Sequence, residues 1–202
     1  MFDASGHPIH FSLVRTTDAA AEPISTADMK LALRVDVSTE DALIDSYVKA
    51  ARQKVEIDTR RALINQTWTL TLDKAPSNRA PIWLPIAPVS AVTSIKSFSV
   101  ADVESTVAST VYRLDTASLP ARIVLKDGQS WPSDLRPENA LQVTFTAGYG
   151  AAGSNVTDVG LIQAVRLLTT YWYEQRIPVG EAMAELPLAY WSLINPLVVP
   201  CL

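Results

Sequence analysis

The 202-residue sequence has little of the chemistry that most enzyme active sites use. It contains one cysteine, Cys201, and two histidines, His7 and His10. A disulfide within the chain is therefore impossible, and assembly in a reducing, intracellular compartment is favoured. Nucleophilic catalysis of the Ser-His-Asp or Cys-His kind needs a base beside the nucleophile. Because both histidines lie near the start of the chain and the cysteine near its end, we predict no catalytic residue.

Metal and cofactor motifs are equally scarce. The spacing of His7 and His10 could bring two metal ligands together, but no cysteine joins them, and Asp3 and Asp18 lack a ligand-like spacing. Residues 1–23 fit better as a flexible N-terminal arm that can dock on a partner. The sequence has no H-E-x-x-H motif and no P-loop. We therefore predict no metal site and no cofactor.

Long apolar runs and an excess of positive charge are missing as well. No segment has 18 consecutive apolar residues, and the N-terminus lacks the basic and apolar regions of a secretory signal, so no membrane partner is expected. The 17 Lys and Arg are outnumbered by 21 Asp and Glu, which gives a net charge of −4. This balance argues against a dedicated nucleic-acid-binding protein. It remains compatible with a protein past which DNA slides.

Helical periodicity is present near both ends of the chain. Asp28 stands three positions after Ser25, as in a capping box, which predicts a short helix over 27–34. A longer helix is predicted over 40–60. Its apolar stripe contains Ile44, Val48, Ala51 and Val55, and its charged residues are expected on the solvated side: Lys49, Arg52, Lys54, Glu56 and Asp58.

A third helix, predicted over 158–176, has two apolar stripes side by side. A helix of this kind is buried on both faces, either inside its own domain or against another chain. We therefore select six of its residues as a candidate subunit interface. They are Leu161, Val165, Leu168, Trp172, Leu167 and Tyr171.

Between these helices the apolar period changes from 3.6 to 2, which is typical of half-buried strands. Short strands are predicted at 67–72, 82–84, 92–100, 110–114, 122–125 and 141–146. The fold class is therefore α+β, a small α-helical bundle with an inserted antiparallel β-sheet or barrel-like domain. The predicted organisation is an arm (1–23), a discontinuous helical domain (24–64 and 156–197) and an inserted β domain (65–150).

The turn after the last strand, GYGAAG at 148–153, matches the G-x-G-x-x-G pattern of dinucleotide-binding proteins. The match is weak, because polar Ser154 and Asn155 separate it from the following helix, whereas in the working motif the helix opens at the glycines. A plain strand-to-helix turn is the better interpretation. The alternative is a small-ligand module for nucleotides or sugars that uses this turn or three tryptophans: Trp68, Trp83 and Trp131.

The C-terminal segment 187–202 contains no charged residue. Its three prolines prevent one continuous helix, and an uncharged apolar tail exposed on a monomer is a docking site. Packing on the chain's own core is the alternative. We predict a docking tail with these candidate contacts: Leu188, Tyr190, Trp191, Leu193, Ile194, Leu197 and Val198.

Several short motifs follow one another in a characteristic order over residues 24–198. They are Leu33-Arg34-Val35, Glu40-Asp41, Thr59-Arg60-Arg61-Ala62-Leu63, Gln66-Thr67-Trp68-Thr69-Leu70, Tyr112-Arg113-Leu114-Asp115, Ser130-Trp131-Pro132, Phe145-Thr146-Ala147-Gly148-Tyr149-Gly150, Tyr173-Glu174-Gln175-Arg176 and Leu193-Ile194-Asn195-Pro196. Their order resembles the tailed-phage head–tail connector (adaptor) family, the portal-binding ring proteins of siphophage-like particles. The basic residue that this family has after the final proline is absent here.

The resemblance implies a structural virion protein rather than an enzyme. Adaptors of this family form a ring, typically of twelve subunits, beneath the portal; the ring extends the DNA channel and offers an attachment surface to stopper and tail proteins. The implied partners are other copies of the chain, the portal, stopper or tail proteins, and double-stranded DNA that passes through the lumen without sequence-specific binding. The implied location is the neck of the virion, after assembly in the host cytoplasm.

The resemblance also suggests a division of labour. The helical domain is expected to build the ring and the tail to insert into the portal, whereas the β domain decorates the outside or contacts the tail proteins. A stopper or tail-completion protein is the alternative virion role.

Overall fold

A computed structural model describes residues 10–77, 79–175 and 188–200. These residues form α-helices and antiparallel β-sheets, which confirms the predicted α+β class. The chain divides into two compact units. A β unit contains the described residues of 1–18, 65–148 and 199–202, and a helical unit contains those of 19–64 and 149–198.

The helical unit is built from two separate stretches of the chain. Its helices are α1 (Thr26–Leu33), α2 (Asp41–Thr59), α3 (Val159–Gln175) and α4 (Leu188–Ile194), with short 3-10 turns at Ser38–Glu40, Gly153–Asn155 and Asn195–Leu197. Among these helices, α3 packs against the other three. α2 does so too, so the helix predicted from two apolar stripes shares the centre of this unit with α2.

Local features of the chain explain where α1 begins and where α1 and α2 end. The Ser25 Oγ accepts a hydrogen bond from the Asp28 N–H at 3.1 Å, which starts α1. Arg34 and Arg60 follow α1 and α2 with φ of 57° and 55°. A left-handed residue at this position stops a helix and lets the chain turn away.

A fully buried arginine lies in the helical unit. The Arg52 Nε donates to Glu22 Oε2 at 2.7 Å, and its Nη1 donates to Glu56 Oε2 at 2.9 Å. Glu56 Oε1 accepts the Leu63 N–H at 2.9 Å. The expectation that Arg52 and Glu56 face solvent is therefore wrong, because Glu22, from a different segment, supplies a compensating charge that the helical pattern does not show.

The β unit contains two antiparallel sheets. Its strands are β1 (Phe11–Thr17), β2 (Gln66–Leu72), β3 (Ile82–Trp83), β4 (Val89–Phe98), β5 (Glu104–Thr106), β6 (Tyr112–Asp115), β7 (Arg122–Leu125) and β8 (Leu141–Ala147). The strand order is β1-β2-β8-β4-β5 in one sheet and β3-β7-β6 in the other. In the described part of the chain neither sheet closes into a barrel.

The larger sheet is organised around β8. This strand pairs with β2 on one side, where Trp68 lies opposite Phe145, and with β4 on the other, where Val92 lies opposite Phe145. Leu141, Val143, Phe145 and Ala147 are buried and alternate with half-buried polar residues. One face of the strand therefore belongs to the core of the β unit, as its sequence pattern indicates.

The structure corrects the predicted N-terminal arm, as far as it is described. Residues 11–17 form the edge strand β1, which pairs antiparallel with β2 from Phe11 opposite Leu72 to Thr17 opposite Thr67. Most of its side chains are exposed on both faces of the sheet, so it lacks the alternating apolar pattern by which strands are recognised. His10 immediately precedes this strand, and His7 lies outside the described residues.

We predict that Glu56→Ala lowers the free energy of unfolding of the helical unit by about 3 kcal/mol, because it removes the buried carboxylate that accepts from Arg52 Nη1 and from the Leu63 N–H. Lys54→Ala is the matched control, since Lys54 makes the same i,i+4 pair with Asp58 but is 37% exposed. It should cost about 0.5 kcal/mol. Urea unfolding followed by circular dichroism at 222 nm measures the free energy of unfolding of both variants. Equal losses of stability would contradict a special role for the buried pair of Arg52 and Glu56.

Candidate functional site

Two of the sequence motifs and the C-terminal segment meet at the side chain of Arg61 in the helical unit. Arg61 follows α2, and its Nε donates to the Leu197 carbonyl at 2.7 Å. Its Nη1 donates to the Tyr149 hydroxyl at 2.8 Å and lies 3.7 Å from Asp158 Oδ2. One guanidinium thus joins the end of α2, the turn before α3 and the C-terminal segment. We call these four residues the Arg61 clamp.

Tyr149 completes the clamp by donating its hydroxyl hydrogen to Asp158. Burial and this hydrogen bond raise the pKa of the Tyr149 hydroxyl to about 12. The hydroxyl therefore stays protonated and keeps donating at neutral pH. Asp158 immediately precedes α3, where a carboxylate interacts favourably with the positive end of the helix dipole. The clamp positions backbone segments and presents no nucleophile.

The Gly148–Gly153 turn is filled by the chain itself. A Cβ atom at Gly150 would lie 2.5 Å from Asn155 Cγ, and one at Gly153 would lie 1.9 Å from the Pro23 carbonyl oxygen. Asn155 Oδ1 also accepts the Ala152 N–H at 3.1 Å. In a dinucleotide-binding turn the glycines admit the pyrophosphate. Here they admit Asn155 and Pro23, which favours the interpretation as a plain strand-to-helix turn.

The three tryptophans of the alternative ligand module belong to the β unit. Trp68 lies 5.9 Å from the Arg15 guanidinium and Trp83 lies 5.4 Å from that of Arg122, so both rings are already covered by cations. Trp131 is buried, and its Nε1 has no hydrogen-bond partner within the described residues. It lines an open cleft of about 470 Å³ beside β5.

The candidate subunit interface on α3 is only partly available. Leu161, Val165 and Leu168 are fully buried among the side chains of the chain's own helical unit. We correct the prediction for these three, because α1, α2 and α4 already cover this stripe. Leu167 and Trp172 pack against the same core but are partly exposed, and Tyr171 is half-buried.

The candidate docking tail also divides into buried and exposed residues. Tyr190 and Ile194 are fully buried, and the Tyr190 hydroxyl donates to Asp58 Oδ2 at 2.6 Å. Burial and this hydrogen bond raise the Tyr190 pKa. Leu193 and Leu197 pack against the core as well. The prediction is corrected accordingly, since α4 lies against α2 and α3, and the exposed residues that remain are Leu188 (87%), Trp191 (38%) and Val198 (40%).

The remaining predictions concern Cys201, the end of α3, metal sites and membrane-spanning helices. Cys201 and the residues 176–187, which include the predicted end of α3, lie outside the described part of the chain. Within the described ranges, no three Asp, Glu, His or Cys side chains cluster as a metal site would require. None of the helices described is long and apolar enough to cross a membrane.

Arg61 and Tyr149 occur in two of the sequence motifs, but neither motif indicates that their side chains contact each other. Asp158 was not singled out for it either. One signal in the sequence could have indicated this contact: the motifs contain polar residues but no catalytic residues that would explain them. Such residues are often bonded to the backbone or to each other.

Comparison with known proteins adds independent observations. The model of the phage gp6-like head-tail connector protein family matches residues 24–113. None of the curated proteins matches the chain. A chain in the virion of the native gene transfer agent (GTA) particle is 30% identical, with a TM-score of 0.77 over 94% of this chain and 96% of that chain.

Two structures of the neck of the GTA particle agree with this match. A chain of the empty particle's neck, computed with C6 symmetry, is 29% identical, with a TM-score of 0.75 over 95% of this chain and 97% of that one. A chain of the native particle's neck, computed with C12 symmetry, is 31% identical, with a TM-score of 0.72 and the same coverages.

These matches define the class of the protein as a structural component of phage-like virions. More narrowly, the chain belongs to the phage gp6-like head-tail connector family. The resemblance seen in the order of its motifs is thereby confirmed, and its role is that of a head–tail connector.

We predict that Gly153→Ala destabilises the helical unit by about 2 kcal/mol, since the added methyl group overlaps the Pro23 carbonyl. Gly160→Ala is the control, because its Cβ would meet Leu193 O at 3.4 Å, an ordinary contact. That variant should be neutral or slightly more stable. Thermal unfolding gives the melting temperatures of the two variants. A Gly153→Ala variant as stable as the parent would show that the turn can accommodate a methyl group beside Pro23.

Proposed function

We propose that this connector forms a ring of about twelve copies in the neck of a phage-like particle, beneath the portal. The observation that carries the proposal is the match of 95% of the chain to a subunit of the GTA neck computed with C12 symmetry. Closed rings of identical subunits need the same contact repeated around an axis. The ring extends the DNA channel and provides the attachment surface for stopper and tail proteins.

The charge of the chain suits a channel for DNA. Its net charge is −4, so a lumen lined by it does not retain the phosphate backbone as a basic surface does. Double-stranded DNA therefore passes without sequence-specific binding. The neck of the virion is the proposed location, reached by assembly in the host cytoplasm.

The two units have different proposed roles. We assign ring formation to the helical unit, whose buried Arg52 and clamped Arg61 make it a well-ordered building block. The β unit provides surface for stopper and tail proteins. Its turn between β4 and β5 exposes Val100 (67%) and Val103 (59%), which suits a protein contact.

The exposed residues of the C-terminal segment are the proposed portal contact. Leu188, Trp191 and Val198 are apolar and exposed, although the rest of this segment packs on the chain's own core. Apolar side chains left at the surface of a packed unit are typical of docking sites.

We predict that the purified connector mixed with its portal gives a complex with about a dozen connector copies. Native mass spectrometry of the connector alone, the portal alone and the mixture measures the stoichiometry. A ring without portal would also support the proposal and would place the control of assembly in the subunit itself. If neither rings nor portal complexes form, the connector ring is contradicted and the stopper role takes its place.

We predict that the double variant Leu188→Asp with Val198→Asp binds the portal at least tenfold more weakly, because it places two charges in an apolar contact. The variant should keep its melting temperature, since both residues are exposed. Deletion of 187–202 is a poorer test because it also removes buried Tyr190 and Ile194. Val100→Asp is the control, and unchanged portal affinity of the double variant would exclude this docking site.

A further inference from the structure

The strand β5 is one edge of the five-stranded sheet, and part of its backbone is unpaired. Its hydrogen bonds to β4 alternate along the strand, and the Val107 N–H donates to the Ile95 carbonyl at 2.8 Å. Glu104 and Thr106 fall between the bonded positions, so their N–H and C=O groups point away from β4. Within the described part of the chain these groups have no hydrogen-bond partner. β5 therefore offers a free edge.

An open cleft of about 470 Å³ lies beside this edge. Its lining includes Val103, Ser105 and Val107, which alternate along the chain and so share one face of the sheet. The segment 130–134 supplies much of the remaining lining. A strand paired with β5 would direct every second side chain into this cleft, because side chains alternate between the two faces of a sheet. The edge and the cleft thus suit one kind of ligand, an extended segment of polypeptide.

The charges around the cleft favour a basic side chain in that segment. Asp134 lines the cleft, is exposed, and has no ion pair or hydrogen bond with any described residue. The neighbouring carboxylates are already balanced. Glu104 pairs with Lys96 at 2.8 Å, and Asp102 pairs with Arg136 at 3.1 Å. A lysine or arginine that reaches Asp134 therefore finds a carboxylate without a competing cation.

The free edge of a second copy does not fit this position. The other edge of the same sheet is β1. Adjacent strands are twisted by about 20°, so β1 of another copy would continue the sheet beyond β5 only after a rotation of about 100°. Neighbours in a ring of about twelve copies differ by a rotation of about 30°. This mismatch favours a strand from a different protein.

We propose that the stopper protein of the same particle adds an extended, basic segment as a strand to the free edge of β5. Its backbone bonds to Glu104 and Thr106, and its lysine or arginine reaches Asp134. The turn before β5, where Val103 is 59% exposed, adds an apolar contact. The inference rests on the proposed attachment role of the β unit and specifies how the attachment is made.

Thr106→Pro tests the strand addition, because proline removes the free N–H and edge strands tolerate it. Purified stopper protein is the probe, and its affinity for the connector ring, formed alone or on the portal, is measured by biolayer interferometry. We expect binding that is weaker by about tenfold or more, with an unchanged melting temperature. Thr106→Val keeps the N–H and is the control. Undiminished binding by the Thr106→Pro variant would overturn the strand addition.

A change of charge in the cleft tests the basic contact. Asp134→Lys should weaken stopper binding by about tenfold, because it places like charges together. Asp127→Lys makes the same change at another exposed carboxylate of the β unit and should leave the affinity unchanged. Equal losses in the two variants would overturn the contact with Asp134, since they would reflect the overall charge of the unit.

Hydrogen–deuterium exchange locates the contact without any substitution. The amides of Glu104 and Thr106 should exchange fast in the ring alone and slowly in its complex with the stopper. Slow exchange already in the ring would show that a neighbouring copy takes the edge, which overturns the assignment to the stopper. A complex in which both amides still exchange fast would overturn the strand addition and leave the attachment role in place. If the parent connector binds no stopper, the attachment role and this inference both fail.

Discussion

The helical unit depends on the contacts by which the Arg61 guanidinium, at the end of α2, holds two segments that are far from it in the sequence. Its donors reach the Leu197 carbonyl and the Tyr149 hydroxyl, with Asp158 close by. A lysine has one point of charge and cannot satisfy acceptors in these fixed directions as a planar guanidinium does. Because the β unit is inserted between residues 64 and 149, the two halves of the helical unit must find each other through such contacts. The clamp therefore closes the unit at the place where the chain leaves it and returns.

Polar side chains of α2 also join segments that are distant in the sequence. Arg52 joins Glu22 to Glu56, and Asp58 accepts the hydroxyl of Tyr190 in α4. Buried charges of this kind are costly unless every partner is present, so they favour one arrangement of the helices over others of similar apolar content. α4 is a seven-residue helix, too short to be stable alone. Burial of Tyr190 and Ile194 and the hydrogen bond to Asp58 hold it in place.

Periodicity along the sequence predicted α2, α3 and β8 well, because each has a long apolar stripe that its own unit buries. It failed where the deciding partner is distant in sequence. β1 is ordered by pairing with β2, Arg52 by Glu22, and the glycines of the 148–153 turn by Pro23 and Asn155. The family was accessible from the order of motifs, yet several residues in those motifs, including Arg61 and Tyr149, serve internal contacts. Motif order therefore identified the class of protein but not the surfaces with which it meets its partners.

A sequence does not show which of two apolar stripes is buried in the chain's own core and which remains for contact with another chain. For this reason Leu161, Val165 and Leu168 of α3 were wrongly predicted as a subunit interface. Both stripes of α3 look equally suited to an interface, but the other three helices pack on α3, so Leu161, Val165 and Leu168 belong to the core. α2 has a charged sequence, yet Arg52 and Glu56 are buried, so the pattern of charges does not show which of its side chains face the core. The contact surface of a ring subunit is thus defined by what the fold leaves uncovered.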